Sequence, residues 1–135
     1  MHFQDSILWQ KSVDAACIAI KLSYKLPKEE MYGMRSQMSR AAVSISSNVA
    51  EGWTREFRKE KIRFMSYAHS SLTELMTQCL ISVRVGWLYE DDLTELFALL
   101  DECSRMLTAM RKKFRLEPDG VVSFGSTPVS APMLQ

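Results

Sequence analysis

The chain has 135 residues, of which 47% are hydrophobic, and a formal charge of +1. That length suits one domain with a real core, and the near-neutral balance excludes a bulk electrostatic pull on nucleic acid or anionic lipid. Cys17, Cys79 and Cys103 are scattered with no Cys-x-x-Cys, and no stretch approaches the roughly twenty apolar residues of a bilayer span, so a disulfide scaffold, a zinc site and a membrane helix are not expected.

The opening Met1-His-Phe-Gln-Asp5 has no basic region followed by an apolar run, so no secretory signal is expected and the protein is placed in the cytoplasm with reduced core thiols. Asp5 or Ser6 caps a first helix that runs to about Leu26 and is stopped by Pro27. Its apolar stripe is Leu8, Ala15, Ala19, Leu22 and Leu26. A second stripe of Trp9, Val13, Ala16, Ile20 and Tyr24 widens the buried arc.

The second helix contains the least ordinary segment of the chain, Ser39 to Trp53. At 100° per residue, Met34, Met38, Ala41, Ile45 and Val49 share one face. Gln37, Arg40, Ser44, Asn48, Glu51 and Arg55 line a polar stripe beside it. Small or β-branched residues (Ser39, Val43, Ser46, Ala50) occupy the remaining arc, where a solvated helix would carry Lys and Glu. Neighbours are therefore expected around most of its circumference. The adopted reading is a central packing helix with a satisfied structural polar seam of Arg40, Asn48, Glu51 and Glu74. The sharper alternative puts Asn48 and Glu51 in a ligand or catalytic site.

Gly52 is read as the C-terminal cap of this helix, and Thr54 as the cap of the third, which runs from Glu56 to about Gly86. Phe57, Phe64, Ala68, Leu72, Leu75 and Cys79 form its face, thickened by Met65, Met76, Leu80 and Val83. Asp91 or Asp92 caps a fourth helix carrying Leu93, Leu96, Leu100, Cys103, Leu107, Met110 and Phe114. The spacing alternates between three and four, the seam of a helix bundle. The expected fold is all-α, an antiparallel up-down-up-down four-helix bundle over 1–116, with a flexible C-terminal tail over 117–135.

Motifs for chemistry are scarce. His2 and His69 lie far apart, and neither belongs to a His-Glu-x-x-His or Glu-x-x-His pattern, so no metal is expected. There is no Gly-x-Ser-x-Gly elbow and no phosphate-binding glycine loop, and adjacent His69-Ser70-Ser71 cannot form a relay on one helix. No catalytic residue and no cofactor are assigned. Basic residues do cluster: Arg55, Arg58, Lys59, Lys61 and Arg63 near the second junction, and Arg111, Lys112, Lys113 and Arg115 at the end of helix four. Alternating helix directions bring the two clusters to one end of the bundle. Arg55, Arg58, Lys59, Lys61, Arg63, Arg111, Lys112 and Lys113 are candidate RNA-phosphate contacts, with Trp53 as a stacking platform. The plainer alternative is a solvated helix end with local charge pairs.

Gln37-Met-Ser-Arg-Ala-Ala-Val-Ser-Ile-Ser-Ser-Asn-Val-Ala-Glu-Gly52 followed by Arg55 resembles the signature of a bacterial four-helix-bundle family encoded by intervening sequences within ribosomal RNA genes. Trp9-Gln-Lys, Tyr32-Gly-Met and Ala68-His-Ser-Ser-Leu-Thr-Glu74 resemble its secondary motifs, although His69 and Ser70 stand where the family carries Arg and Gly. The resemblance implies a bundle that assembles into a homopentameric ring with no known catalysis. It also implies kinship with the accessory variability determinant of diversity-generating retroelements, which partners a reverse transcriptase and RNA. The expected function is a non-enzymatic, self-associating binding or scaffolding module. An RNA-binding protein acting through the basic end, with ribosomal RNA or a reverse transcriptase, is the alternative.

Overall fold

A computed structural model describes residues 2–117. Within them lie four α-helices: α1 (Ile7–Ser23), α2 (Met34–Thr54), α3 (Arg58–Val85) and α4 (Thr94–Leu116). Short 3₁₀ turns at Phe3–Asp5, Lys28–Glu30 and Glu90–Leu93 complete the regular structure. The expected tail falls, beyond Glu117, outside the described residues.

Each boundary has a local cause. Ser6 caps α1, its hydroxyl accepting the Trp9 N–H at 3.3 Å. The Ser6→Ala variant is expected to lose about 1 kcal/mol, read from chemical denaturation. Helix α1 ends at Ser23, earlier than expected. Pro27 disfavours helical geometry at the residue before it, and Lys25 and Leu26 instead donate to Leu22 and Ser23 in a tighter turn. The Glu30 carboxylate accepts the first N–H of α2, from Met34, at 3.1 Å. Helix α3 stops at Gly86, whose φ of 98° lies in the left-handed region that glycine enters without steric cost. Asp92 accepts the Tyr89 N–H at 2.8 Å and so orders the turn that leads into α4.

Gly52 and Thr54 do not act as expected. Gly52 lies inside α2, and Thr54 is its last residue, its hydroxyl donating back to the Glu51 carbonyl. The α3 N-cap is Phe57, in extended backbone and exposed, rather than part of the buried face. Leu80 also points outward. Gly52 sits at a close approach of α2 and α3: a Cβ there would lie 2.7 Å from Met65 Cε and 3.0 Å from Phe64 Cβ.

Side-chain pairs relate the helices to one another. Ser44 meets Ser71, and Gly52 and Trp53 meet Lys61, so α2 and α3 run antiparallel. Ser104 and Arg111 of α4 both reach His69 of α3. Lys11 pairs with Glu102 at 2.5 Å and Lys25 with Asp92 at 2.8 Å, which sets α1 antiparallel to α4. Each helix packs on its two neighbours, an arrangement compatible with an up-down-up-down bundle. The full three-four series from Leu93, at the end of the 3₁₀ turn, through Phe114 of α4 is buried, as is the inner face of α2 (Met38, Ala41, Ala42, Ile45, Val49). Buried Ser12, Ser23 and Ser82 satisfy their hydroxyls on carbonyls three or four residues back. Cys79 and Cys103 are core thiols that burial pushes up to about 12 and about 11, whereas Cys17 is exposed rather than in the core.

Candidate functional site

The polar stripe of α2 separates into two parts. Asn48 lies in the α2–α3 seam, donating from Nδ2 to the Ser44 carbonyl at 2.8 Å and to the Ser44 hydroxyl at 3.0 Å. Ser44 in turn meets Ser71 of α3 at 2.8 Å, which completes the seam with hydroxyl groups. Glu51 is exposed and pairs with Arg55 one turn on, at 3.0 Å. Arg40 and Glu74 are exposed on either side of a cleft between α2 and α3, and neither makes a hydrogen bond or ion pair among the described residues. The four proposed seam residues are therefore not brought together. One helical stripe spans about 100° of circumference, and only its α3-facing edge is covered.

The outward arc of α2 is open as well. Val43 is 47% exposed and Ser47 is exposed, so in the single chain α1 and α3 cover roughly half of this helix rather than most of it.

At the α2–α3 junction, Lys61 is 1% exposed. Its Nζ donates to the Gly52 carbonyl at 3.3 Å and the Trp53 carbonyl at 3.2 Å, capping the C-terminus of α2 from the next helix. Burial lowers its pKa to about 7, with the Glu117 carboxylate opposing the shift. Trp53 is 7% exposed, its ring packed in the core. These two residues are corrected from the sequence expectation: neither a phosphate contact nor a base platform is available where water itself is excluded. Arg55 stacks over Phe64 at 4.6 Å, and Arg63 pairs with Glu60 at 3.4 Å. Lys59 and Lys112 are exposed, while Arg58 and Lys113 are half-buried. The influence of Glu117 on Lys61 places the end of α4 beside the α2–α3 junction, so the two basic clusters do share one end.

His69 bridges α3 and α4. The Arg111 guanidinium donates to Nδ1 at 2.7 Å, and Nε2 lies 2.9 Å from the Ser104 hydroxyl. Because Arg111 has only donors, Nδ1 must accept and the ring proton sits on Nε2, pointing at Ser104. A histidine in that tautomer cannot take a proton from the serine, so the trio is not a nucleophile–base pair. Burial, then the Arg111 charge, lower the His69 pKa and hold the ring neutral. Asn48, Glu51 and His69 do not converge on one pocket.

A cleft of about 790 Å³ runs along the outer side of α3, where Ser66, Ser70, Thr73 and Thr77 line it with Met34 and Gln37 of α2 and Arg111 of α4. Gln78 lines this cleft and also the α2–α3 cleft. Neither was assigned a role from the sequence, yet a signal existed: between Arg63 and Arg84 the only formally charged residue is Glu74. Among the described residues no helix is long and apolar enough to cross a membrane, and no group of three or more His, Cys, Asp or Glu is placed to hold a metal ion.

None of the curated proteins matches the chain. A sequence description of 23S rRNA-intervening sequence proteins matches residues 4–109, which takes in α1, α2, α3 and most of α4. The bundle, the signature in α2 and this match agree: the chain belongs to the 23S rRNA-intervening sequence protein family.

Proposed function

We propose that this protein is a non-enzymatic cytoplasmic module that assembles with copies of itself, in a homopentameric ring of the kind the sequence resemblance implies, and serves as a binding scaffold. The observation that carries this reading is the outward arc of α2. Val43 and Ser47 are exposed, and Ser36 and Ala50 half-buried, at positions where a permanently solvated helix holds long charged side chains. The tautomer of His69 and the separation of Asn48 from it support a role without catalysis. Light scattering coupled to gel filtration tests the assembly. A mass near five chains of 15.5 kDa is expected, and a clean 15.5 kDa species overturns the reading.

A second reading, binding of structured RNA at the basic end, is favoured by the proximity of the end of α4 to the α2–α3 junction. With Trp53 and Lys61 removed from the set, the exposed cations Lys59, Arg63 and Lys112 carry it. Affinity for a ribosomal RNA fragment should then fall steeply with salt and be lost when these three are neutralised. Binding that is absent or indifferent to salt removes this reading.

A further inference from the structure

The cleft between α2 and α3 has a volume of about 320 Å³, at the low end for small-molecule sites. Arg40 of α2 and Glu74 of α3 are the charged residues that line it, and neither makes an ion pair or hydrogen bond among the described residues. The small side chain of Ala41 leaves room between them, and the Ser44–Ser71 hydroxyl pair lines the seam.

A buried group without a partner lies in the same wall. Gln78 is 8% exposed and lines the cleft, and its side-chain carbonyl has no hydrogen-bond partner among the described residues. Buried carbonyls are almost always paired, so this one calls for a donor that the described residues do not supply. Rotation about the last side-chain torsion interchanges the two ends of the amide, so Gln78 can turn either its carbonyl or its NH₂ group toward the cleft.

We infer that this cleft binds a small zwitterion, an α-amino acid. The Arg40 guanidinium takes the ligand carboxylate on paired N–H donors, and the Glu74 carboxylate takes the ammonium group. Gln78 supplies a third polar contact beside them. The two protein charges also select against other ligands. Glu74 repels a phosphate or nucleotide, Arg40 repels a metal cation or polyamine, and an uncharged molecule leaves both charges unmatched. The site lies within one chain and needs neither an assembly nor the basic end of the bundle.

Isothermal titration calorimetry of the full chain with glycine, L-serine and L-glutamine tests the inference. Binding of at least one is expected with a Kd of about 0.1–1 mM, as suits charge contacts at exposed side chains. For an L-serine ligand, N-acetyl-L-serine lacks the ammonium charge and L-serinamide lacks the carboxylate, and each is expected to bind about tenfold more weakly or worse. The corresponding derivatives serve for the other two. Arg40→Gln and Glu74→Gln alter exposed side chains and are expected to keep the helical circular dichroism while each weakens binding by about tenfold or more. Gln78→Met keeps the side-chain length and removes the unpaired carbonyl. Its thermal stability is expected to hold or rise while affinity falls, a combination that a purely structural Gln78 would not give. No heat from any of the three amino acids overturns the inference. So does binding that ignores both charge substitutions, or equal binding of the singly charged derivatives.

Discussion

Lys61→Ala is expected to cost about 3 kcal/mol of folding free energy, measured by urea or thermal denaturation. Two losses combine. The variant deletes a fully buried aliphatic stem and leaves a cavity, and it strands the carbonyls of Gly52 and Trp53 at the end of α2. Lys61→Met keeps the stem and removes only the donor, so it is expected to lose less, about 1–2 kcal/mol. Its cost should also depend on pH. Burial lowers the Lys61 pKa from 10.5 to about 7, so between these values the unfolded chain holds a proton that the folded protein has released. Stability from this group therefore rises as pH increases from about 7 toward 10, and below 7 the folded protein must hold a desolvated charge. The neutral amine still has two N–H groups for two carbonyls. Lys61→Met should accordingly be more harmful at pH 9.5 than at pH 6, and a penalty equal at both would show that the amine is charged throughout.

The second large effect is at the residue Lys61 caps. Gly52→Leu is expected to destabilise by about 3 kcal/mol, at the upper end for overpacking, because the new side chain must enter space already held by Met65 and Phe64. Gly52→Ala is the informative control. Met65 Cε is the mobile end of a side chain and can give way, but Phe64 Cβ is fixed close to the α3 backbone. Ala also gains helix propensity of about 1 kcal/mol over Gly. The two effects oppose, so a small net loss is expected for Ala and a large one for Leu. Equal tolerance of both in thermal melts would mean that α3 does not fold back over α2 at this point.

Both positions were misread from the sequence for the same reason. Gly52 sits near a helix end, where glycine ordinarily supplies a left-handed cap, and Lys61 sits in a run of cations, where lysine ordinarily faces water. Each instead answers to a contact made across the α2–α3 junction. Trp53 is similar: its position beside basic residues suggested a platform for bases, and its burial follows from the packing of α2 on its neighbours. The role of His69 between two helices has no sequence signal, because its partners, Ser104 and Arg111, lie on α4, some forty residues away.

The helices themselves were legible. The three-four alternation from Leu93 to Phe114 corresponds residue for residue to buried positions of α4, and Met38, Ala41, Ile45 and Val49 do the same in α2. Ser6 and Gly86 act at the helix ends where they are expected, whereas Asp92 orders the 3₁₀ turn before α4 and the N-terminus of α4 has no side-chain cap. Such signals are local, because a cap or a periodic stripe is satisfied within one or two turns of chain. By itself the sequence determined which segments are helical, the inner faces of α2 and α4, and the family to which the chain belongs. Only the tertiary structure decided which polar groups meet: Lys61 under α2, Asn48 with Ser44, His69 between Arg111 and Ser104, and Gln78 with its side-chain carbonyl unpaired among the described residues. Burial of an apolar side chain needs only the absence of water, which periodicity records. A hydrogen bond needs one particular partner at about 3 Å, and that partner comes from a helix elsewhere in the chain.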